Sequence, residues 1–486
     1  MAPLSLKNIE KSVCNTALLS LLYLIPSVQA VLPLDDPDMW WRLRTGQWIA
    51  ENHSVPIRDV FSTYAMGRQW IEYSWLFSLV LYVVHTLFSL PGVVYFIVAL
   101  ALMITFTAHQ LVRSGGLPLT AEVALVAAAM GALTPLMRPR PWLFTIIFFA
   151  VELLIIGRVR RSGTERLLWV LPLLFALWAN LHIQFVYGLA TLGLLLAETL
   201  LVISVGWFAG KIEPAALSPV RLMLVLFACI AATFITPYGY LLYKQTFDYI
   251  FDPGAFLHIR ELHPMLFRSL DNWLVLFLAL STAFILGWRQ KWLPFPILLF
   301  FMGTFLAFRA RRDVWVLALT AIWVIGESGL GFRHARSLHF TKGQIAMSAV
   351  AVAAALFCVT FVREISEANL QATVESQFPV QAVNYVNINR FTGPVFNDYD
   401  WGGFLLWGLR GLPVSVDGRF NLYGDERVAR LMNTWEGRSG WESDPDLLRA
   451  KLVIADKGRV LASLLRTHPR YKLVYEDKRA AVFIAN

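Results

Sequence analysis

The chain has 486 residues, of which 57% are hydrophobic and only 15% are charged, and its mean hydropathy is +0.56. Soluble globular domains carry about 25% charged residues, so this composition excludes a soluble protein and indicates a large polytopic membrane protein. The formal net charge of +9 does not indicate a nucleic-acid partner, because the basic residues are scattered through short loops between apolar segments. The three cysteines lie inside apolar segments, without metal-ligand or disulfide spacing.

Apolar segments fill the chain from residue 13 to residue 362. Lys7 and Lys11 precede the first of them, 13–32, and by the positive-inside rule they place the N-terminus in the cytoplasm. A removable signal peptide ending at Val28-Gln29-Ala30 is the alternative interpretation of this segment. Further spans, judged against the roughly 20 apolar residues that a spanning helix needs, are predicted at 75–88, 91–111, 119–136, 141–157, 167–180, 184–206, 219–237, 272–287, 293–308, 313–327 and 344–362.

The basic loops decide how many of these segments cross. Twelve full crossings would place the loops around Arg160 and Arg336 outside, against the positive-inside rule. We therefore predict eleven crossings, with 75–88 as a re-entrant or interfacial helix, so that the basic loops 158–161, 289–291 and 333–342 fall inside. The outer face then carries loop 33–74, loop 238–271, several short polar turns and everything after residue 363.

The composition becomes that of a globular domain at about residue 363. Strands are predicted at Gly393–Phe396, Pro413–Val416, Leu452–Ala455, Tyr471–Glu476 and Ala480–Ile484, and helices at Val380–Asn387, Glu426–Trp435 and Arg459–Thr467. The predicted fold is an α-helical polytopic membrane protein in which residues 1–362 form the membrane domain. Residues 363–486 are predicted to form a small extracytoplasmic α/β domain.

Acidic and aromatic residues crowd the start of the first outer loop. Asp35, Asp36 and Asp38 surround Pro37, which disfavours a helix at the residue before it and predicts an extended turn. Carboxylates at this spacing can share a divalent cation, or one can act as a general base at the membrane surface. A solvated loop is the alternative. Further candidates in this loop are a second acid, two tryptophans suited to stacking on sugar rings, and two arginines suited to binding phosphate: Glu72, Trp40, Trp41, Arg42 and Arg44.

The outer turns of the later segments carry charges that the positive-inside rule does not explain. Arginines on the outer side call for an anionic partner such as a lipid phosphate. Other polar or aromatic residues mark the neighbouring turns and the second long loop. The candidate substrate-binding residues of these turns are Arg138, Arg140, His182, Tyr238, Glu261, Arg309 and Arg312.

These motifs together resemble a family. The run Asp35 to Trp48, followed by Trp70 to Leu76, resembles the first outer loop of bacterial GT-C-type membrane glycosyltransferases that have an Asp-Pro-Asp-x-Trp-Trp opening. The resemblance extends to Arg138-Pro139, Trp178 to His182, Pro237-Tyr238-Gly239, Glu261, Phe396 to Gly403 and Asp417-Gly418-Arg419. The chain departs from the family pattern in having Arg42 in place of histidine and Tyr73-Ser74-Trp75 in place of His-Glu-Trp, which bears on donor and acceptor choice.

The resemblance implies an inverting membrane glycosyltransferase that takes its sugar from a polyprenyl-phosphate donor and passes it to a glycan, lipid or protein acceptor. Asp36 or Asp38 would be the catalytic base or a ligand of Mg²⁺ or Mn²⁺. The implied location is the bacterial cytoplasmic (inner) membrane, with the C-terminal domain on the periplasmic side. Two alternatives stay open: a non-catalytic transporter or flippase for a lipid-linked saccharide, and an assembly protein for envelope polysaccharide.

Overall fold

The computed structural model describes residues 6–31, 34–208, 217–250, 259–288, 294–328 and 341–486. The predicted basic loops 289–291 and 333–342 lie wholly or largely outside these ranges, as does 251–258 of the second long loop. The helices of the described chain are α1 (Leu6–Ala30), α2 (Pro37–Asn52), α3 (Trp75–Arg113), α4 (Leu119–Leu133), α5 (Trp142–Ser162), α6 (Leu171–Leu181), α7 (Phe185–Phe208), α8 (Pro219–Thr233), α9 (Leu241–Ile250), α10 (Leu270–Trp288), α11 (Pro294–Arg309), α12 (Val314–Glu327), α13 (Lys342–Val362), α14 (Glu367–Gln377), α15 (Val380–Ile388), α16 (Gly402–Gly408), α17 (Phe420–Tyr423), α18 (Asp425–Trp435), α19 (Pro445–Arg449) and α20 (Val460–Thr467). The strands are β1 (Val395–Asn397), β2 (Leu452–Asp456), β3 (Tyr471–Glu476) and β4 (Ala480–Ala485).

Seven stretches of the described chain are long and apolar enough to cross a membrane: Ser12–Ala30, Trp75–Arg113, Leu119–Leu136, Trp142–Ser162, Phe185–Val205, Leu270–Trp288 and Lys342–Val362. Pro219–Thr233 and Pro294–Arg309 are apolar but shorter. The protein is therefore a multi-pass, mostly helical membrane protein, as its composition predicts. The count of eleven crossings stays a prediction.

Helix α3 contains a break at Ser89, where the backbone has φ 56° and ψ −157°. Pro91 follows two residues later and cannot donate a helical hydrogen bond. The break separates the two apolar segments predicted at 75–88 and 91–111. The backbone N–H of Leu90 instead donates to the carboxylate of Glu367 at 3.0 Å.

The chain divides into two compact units. The first, here called the helical unit, contains Met1–Leu32, Tyr95–Gly239 and Glu261–Glu364, and the second, the mixed unit, contains Pro33–Val94, Tyr240–Arg260 and Ile365–Asn486. Helix α12 is the core of the helical unit: its residues Val314 to Gly326 are all buried, and it packs against α4, α5, α10 and α11. A helix that is hydrophobic all round has to be buried on every side.

The mixed unit contains a four-stranded sheet of order β1-β2-β4-β3. β1 and β2 are parallel, and the other two pairs are antiparallel. The prediction of a strand at Pro413–Val416 is wrong, because only Val414 forms bridges, with Ser62 and with Val395. A longer ladder does not form, because the run begins at Pro413, which has no N–H to donate, and ends at the Asp417-Gly418 turn.

The first loop is part of this unit. The backbone N–H of Thr63 donates to the carbonyl of Val414 at 2.8 Å, and the N–H of Val414 donates to the carbonyl of Phe61 at 3.3 Å. Helix α2 packs on α16 so closely that a Cβ on Gly403 would lie 2.7 Å from the carbonyl oxygen of Pro37. Loop residues and the C-terminal segment therefore share one core.

Candidate active site

The carboxylates of the first loop stand at the N-terminus of a helix. Asp36 has extended backbone (φ −80°, ψ 112°), and its side chain accepts a hydrogen bond from the N–H of Asp38 at 3.0 Å. The predicted extended turn is correct for Asp36 and wrong for Asp38, which lies in the first turn of α2. Aspartate is a favoured N-cap and proline a favoured first helical residue, and this pairing of preferences decides the conformation. Asp36 is 1% exposed, whereas Asp35 and Asp38 are half-buried.

Glu72 and Arg42 form a buried ion pair in the mixed unit. Arg42 Nη1 lies 3.5 Å from Glu72 Oε1, and the two residues are 4% and 2% exposed. Burial raises the pKa of the Glu72 carboxyl, while Arg42 and the N–H of Ser74, which donates at 3.2 Å, oppose that rise. Glu72 therefore binds its proton more tightly than an exposed glutamate.

Arg42 also stacks on an aromatic ring. Its guanidinium carbon lies 4.3 Å from the ring centroid of Trp41. Trp40 instead packs among the rings of Phe378 and Phe404, at centroid distances of 5.7 and 5.1 Å. Arg44 donates to Gln47 Oε1 at 3.1 Å and lies over Phe61.

The Asp417-Gly418-Arg419 turn of the C-terminal segment contacts the first-loop acid Asp38. A Cβ on Gly418 would lie 1.9 Å from Asp38 Oδ1. Arg419 is fully buried, with Nη1 at 2.6 Å from Asp59 Oδ1 and Nη2 at 2.7 Å from Asp417 Oδ2. Burial opposes the charge of Arg419, but the carboxylates of Asp417 and Asp59 outweigh it and raise the pKa of the guanidinium.

Two members of this cluster had no distinguishing signal in the sequence. Asp59 lies in the middle of the polar loop. Tyr423, whose hydroxyl donates to Asp417 Oδ2 at 2.6 Å, is the last residue of the short helix α17. The Asp417-Gly418-Arg419 motif can be recognised in the sequence, but an Asp-Gly pair is explained equally well by turn chemistry. Its contact with Asp38 joins residues about 380 positions apart and could not be read from local pattern.

The remaining candidate residues belong to the helical unit. Arg140 Nη2 lies 3.5 Å from Glu261 Oε1, and its guanidinium lies over the ring of Trp142. His182 is buried, and its Nδ1 lies 2.9 Å from Thr145 Oγ1, which also accepts from Trp178 Nε1 at 2.9 Å. The first contact joins the Arg138-Pro139-Arg140 turn to the second long loop. The second contact joins the His182 turn to α5.

The turn before α12 holds another buried acid. Asp313 accepts hydrogen bonds from Gln184 Nε2 at 2.7 Å and from the Tyr187 hydroxyl at 2.8 Å. This joins the Arg309–Asp313 turn to the start of α7. Within that turn Arg309 is exposed and Arg312 half-buried, and among the other candidates Tyr238 is buried and Arg138 half-buried.

In the part of the chain that the structure describes, no group of three or more His, Cys, Asp or Glu side chains is arranged to hold a metal ion. Asp36 and Asp38 lie close together, but they provide only two carboxylates to a metal ion. The predicted cation between them stays a prediction.

The fold is that of a polytopic, mostly helical membrane protein with a small mixed sheet formed by its C-terminal segment. No protein-family model matches the chain, and no curated protein matches it by sequence. Among solved structures the chain is similar to the crystal structure of the Archaeoglobus fulgidus oligosaccharyltransferase in the apo form, with a TM-score of 0.54 and 13% sequence identity. The match covers 92% of this chain and 69% of that one. At this identity the likeness is one of fold.

Proposed function

We propose that the protein is a membrane glycosyltransferase that moves a sugar from a polyprenyl-phosphate donor to an acceptor hydroxyl at the outer face of a bacterial inner membrane. The observation that carries the proposal is the half-buried carboxylate of Asp38 in the first turn of α2, on a fold similar to that of an oligosaccharyltransferase. A half-buried carboxylate can serve as the general base that transfer to an acceptor nucleophile requires.

In the proposed reaction the acceptor atom attacks the anomeric carbon, and the bond from that carbon to the donor phosphate breaks. Asp38 accepts the proton that the acceptor loses. In-line attack from the face opposite the phosphate inverts the configuration of the anomeric carbon. The departing phosphate carries the negative charge and needs cationic groups nearby.

Asp36 and Asp38 have different roles in this proposal. Asp36 is buried and caps α2 through its bond to the N–H of Asp38, so it orients the first turn. Asp38 is more exposed and is the better placed base. Asp35 and Glu72 are secondary acids in this assignment.

The arginines would supply the positive charge. In the helical unit, Arg138, Arg140, Arg309 and Arg312 are proposed to bind an anionic group such as a lipid phosphate. In the mixed unit, Arg42 and Arg44 are proposed to bind donor phosphate. This proposal includes eleven crossings and a C-terminal domain outside. Its support is the positive-inside rule and the clustering of outer turns within the helical unit.

A divalent cation at Asp36 and Asp38 belongs to the same proposal. The two carboxylates would provide two of its oxygen ligands, and phosphate oxygens and water would have to complete the shell. When bound, the cation would stabilise negative charge on the leaving phosphate.

The test is sugar transfer from a polyprenyl-phosphate donor in membranes that contain the protein. We expect Asp38→Asn to reduce transfer by at least about a hundredfold without changing expression. Asp36→Asn, which keeps a competent N-cap, should lower transfer less. If the Asp36→Asn/Asp38→Asn double variant still supported transfer at the wild-type rate, neither carboxylate would be catalytic. The enzyme assignment would then lose its support, and a transporter or an assembly protein would be favoured.

A further inference from the structure

The backbone of the Asp417-Gly418-Arg419 turn stands against the carboxylate of Asp38. A Cβ on Gly418 would be 1.9 Å from Asp38 Oδ1 and 3.2 Å from Trp41 Nε1. Gly418 has no unusual φ, so glycine is needed here for space and not for backbone conformation. The Asp38 carboxylate therefore occupies the volume that any side chain at 418 would take.

The turn is held by a buried network of charged groups. Arg419 donates to Asp417 through Nε at 2.8 Å and Nη2 at 2.7 Å, and to Asp59 through Nη1 at 2.6 Å. The Tyr423 hydroxyl donates to Asp417 Oδ2 at 2.6 Å, and the Arg419 guanidinium lies 4.5 Å from the centroid of Trp70. Bidentate pairing and stacking on a ring leave the guanidinium a single orientation.

Asp59 is fixed in turn by its own loop. Its Oδ2 accepts from the Ser62 hydroxyl at 2.5 Å and from the Ser62 N–H at 3.0 Å, and its Oδ1 accepts from the Phe61 N–H at 3.2 Å. The network thus joins the first loop to the C-terminal segment immediately beside Asp38.

We propose that the Asp417–Arg419 turn is the positioning element of the Asp38 carboxylate: Gly418 sets where the carboxylate stands, and Arg419, Asp59 and Tyr423 are positioning residues that hold Gly418. This inference rests on the proposed function, in which Asp38 is the base. A base is effective only when a second layer of residues locks its geometry. The C-terminal segment then takes part in the chemistry without contacting the substrate.

A double-mutant cycle on the full-length protein in detergent tests the contact without measuring activity. We expect Gly418→Ala to lower the apparent melting temperature by about 4 °C or more. Combined with Asp38→Ala, which removes the obstructing carboxylate, the same change should lower it clearly less, because residues in contact are not additive. The matched control is Gly408→Ala, whose Cβ would meet Val383 Cγ1 at 2.8 Å in the same unit; its effect should be equal in both backgrounds. Additive effects of Gly418→Ala and Asp38→Ala would overturn the inference.

Tyr423→Phe provides a milder variant in case Gly418→Ala fails to fold, since it removes only the hydroxyl, which donates to Asp417 at 2.6 Å and accepts from Arg419 Nη2 at 3.5 Å. We expect its kcat to fall by about three- to tenfold at an unchanged KM. A wild-type kcat per folded protein, with activity reduced only in proportion to the folded fraction, would contradict positioning. If the stability effects are non-additive but the wild-type protein transfers no sugar, the contact between Gly418 and Asp38 is supported and the proposed function is overturned.

Discussion

Glu72 and Asp38 are two acids of one compact unit in unlike surroundings. Glu72 is 2% exposed and paired with Arg42, whereas Asp38 is half-buried at a helix N-terminus. Desolvation favours the neutral form of a buried carboxyl, and a neighbouring guanidinium favours the ionised form. For Glu72 burial is the larger effect, so its pKa lies above the ordinary value of 4.5.

The raised pKa of Glu72 predicts how the thermal stability of the protein depends on pH. A carboxyl whose pKa is raised by folding stabilises the native state below its unfolded pKa, and this contribution is lost as the pH rises through the folded value. The glutamine in Glu72→Gln does not titrate. We therefore expect the melting temperature of the wild type, measured against Glu72→Gln, to fall as the pH is raised from about 4.

The measurement is thermal unfolding of both proteins in the same detergent over a pH series. A wild-type advantage that grows with rising pH would mean that pairing with Arg42 outweighs burial.

At the scale of elements, the first part of α3 is built like a helix that lies along a surface. Phe77, Ser78 and Leu81 are buried, and Tyr82 contacts the place where a Cβ on Gly46 of α2 would stand, at 2.6 Å. Further along, His85 packs edge-on against Trp407 of α16, at a centroid distance of 5.3 Å. The other face carries an apolar stripe at helical spacing, formed by Leu76, Val80, Val83 and Leu87.

We expect this stripe to lie at one depth in the membrane interface, with 75–88 running parallel to the bilayer. Spin labels at its four positions, in a background without native cysteines, should report equal immersion depths although the positions extend about 16 Å along the helix. The control is the equally spaced exposed stripe Val350, Ala354, Phe357 and Phe361 of α13, where depth should change steadily. An equal gradient along 75–88 would mean that this segment crosses the membrane.

At the scale of the whole molecule, the mixed unit is assembled from parts far apart in sequence. The first loop, the start of α3 and the chain after residue 364 share one core, in which Trp40 packs between Phe378 and Phe404. The edge of the sheet is extended by the bridge between Ser62 and Val414. The predicted domain boundary between 362 and 363 stays a prediction, but the contacts of the first loop are with the C-terminal segment.

This assembly predicts the fate of a cut chain. After cleavage at a protease site inserted between Glu364 and Ile365, fragment 365–486 should stay with washed membranes. Trp40→Ala should release it, because removing a buried tryptophan costs about 3–5 kcal/mol. The control Trp441→Ala changes a tryptophan of the fragment itself, which packs against His468, and should not release the fragment. Release of the fragment from the otherwise unaltered chain would show that these contacts are too weak to hold it.

Much of the architecture could be predicted from the sequence because its signals are local. The strands at 452–455, 471–476 and 480–484 and the helices at 380–387, 426–435 and 459–467 are confirmed, since alternation and helical periodicity act over a few residues. Helix α2 is not predicted from the sequence, because its aromatic and polar residues show no apolar stripe and because an aspartate before a proline also fits an extended turn.

Composition and hydropathy by themselves determined a polytopic helical membrane protein with a small α/β segment after it, because burial in lipid and strand periodicity are properties of short stretches. They also singled out the acids of the first loop. The tertiary structure alone decided that Glu72 is paired with Arg42 and that Asp38 meets Gly418. Contacts between residues hundreds of positions apart depend on how the elements pack, and no local pattern encodes that packing.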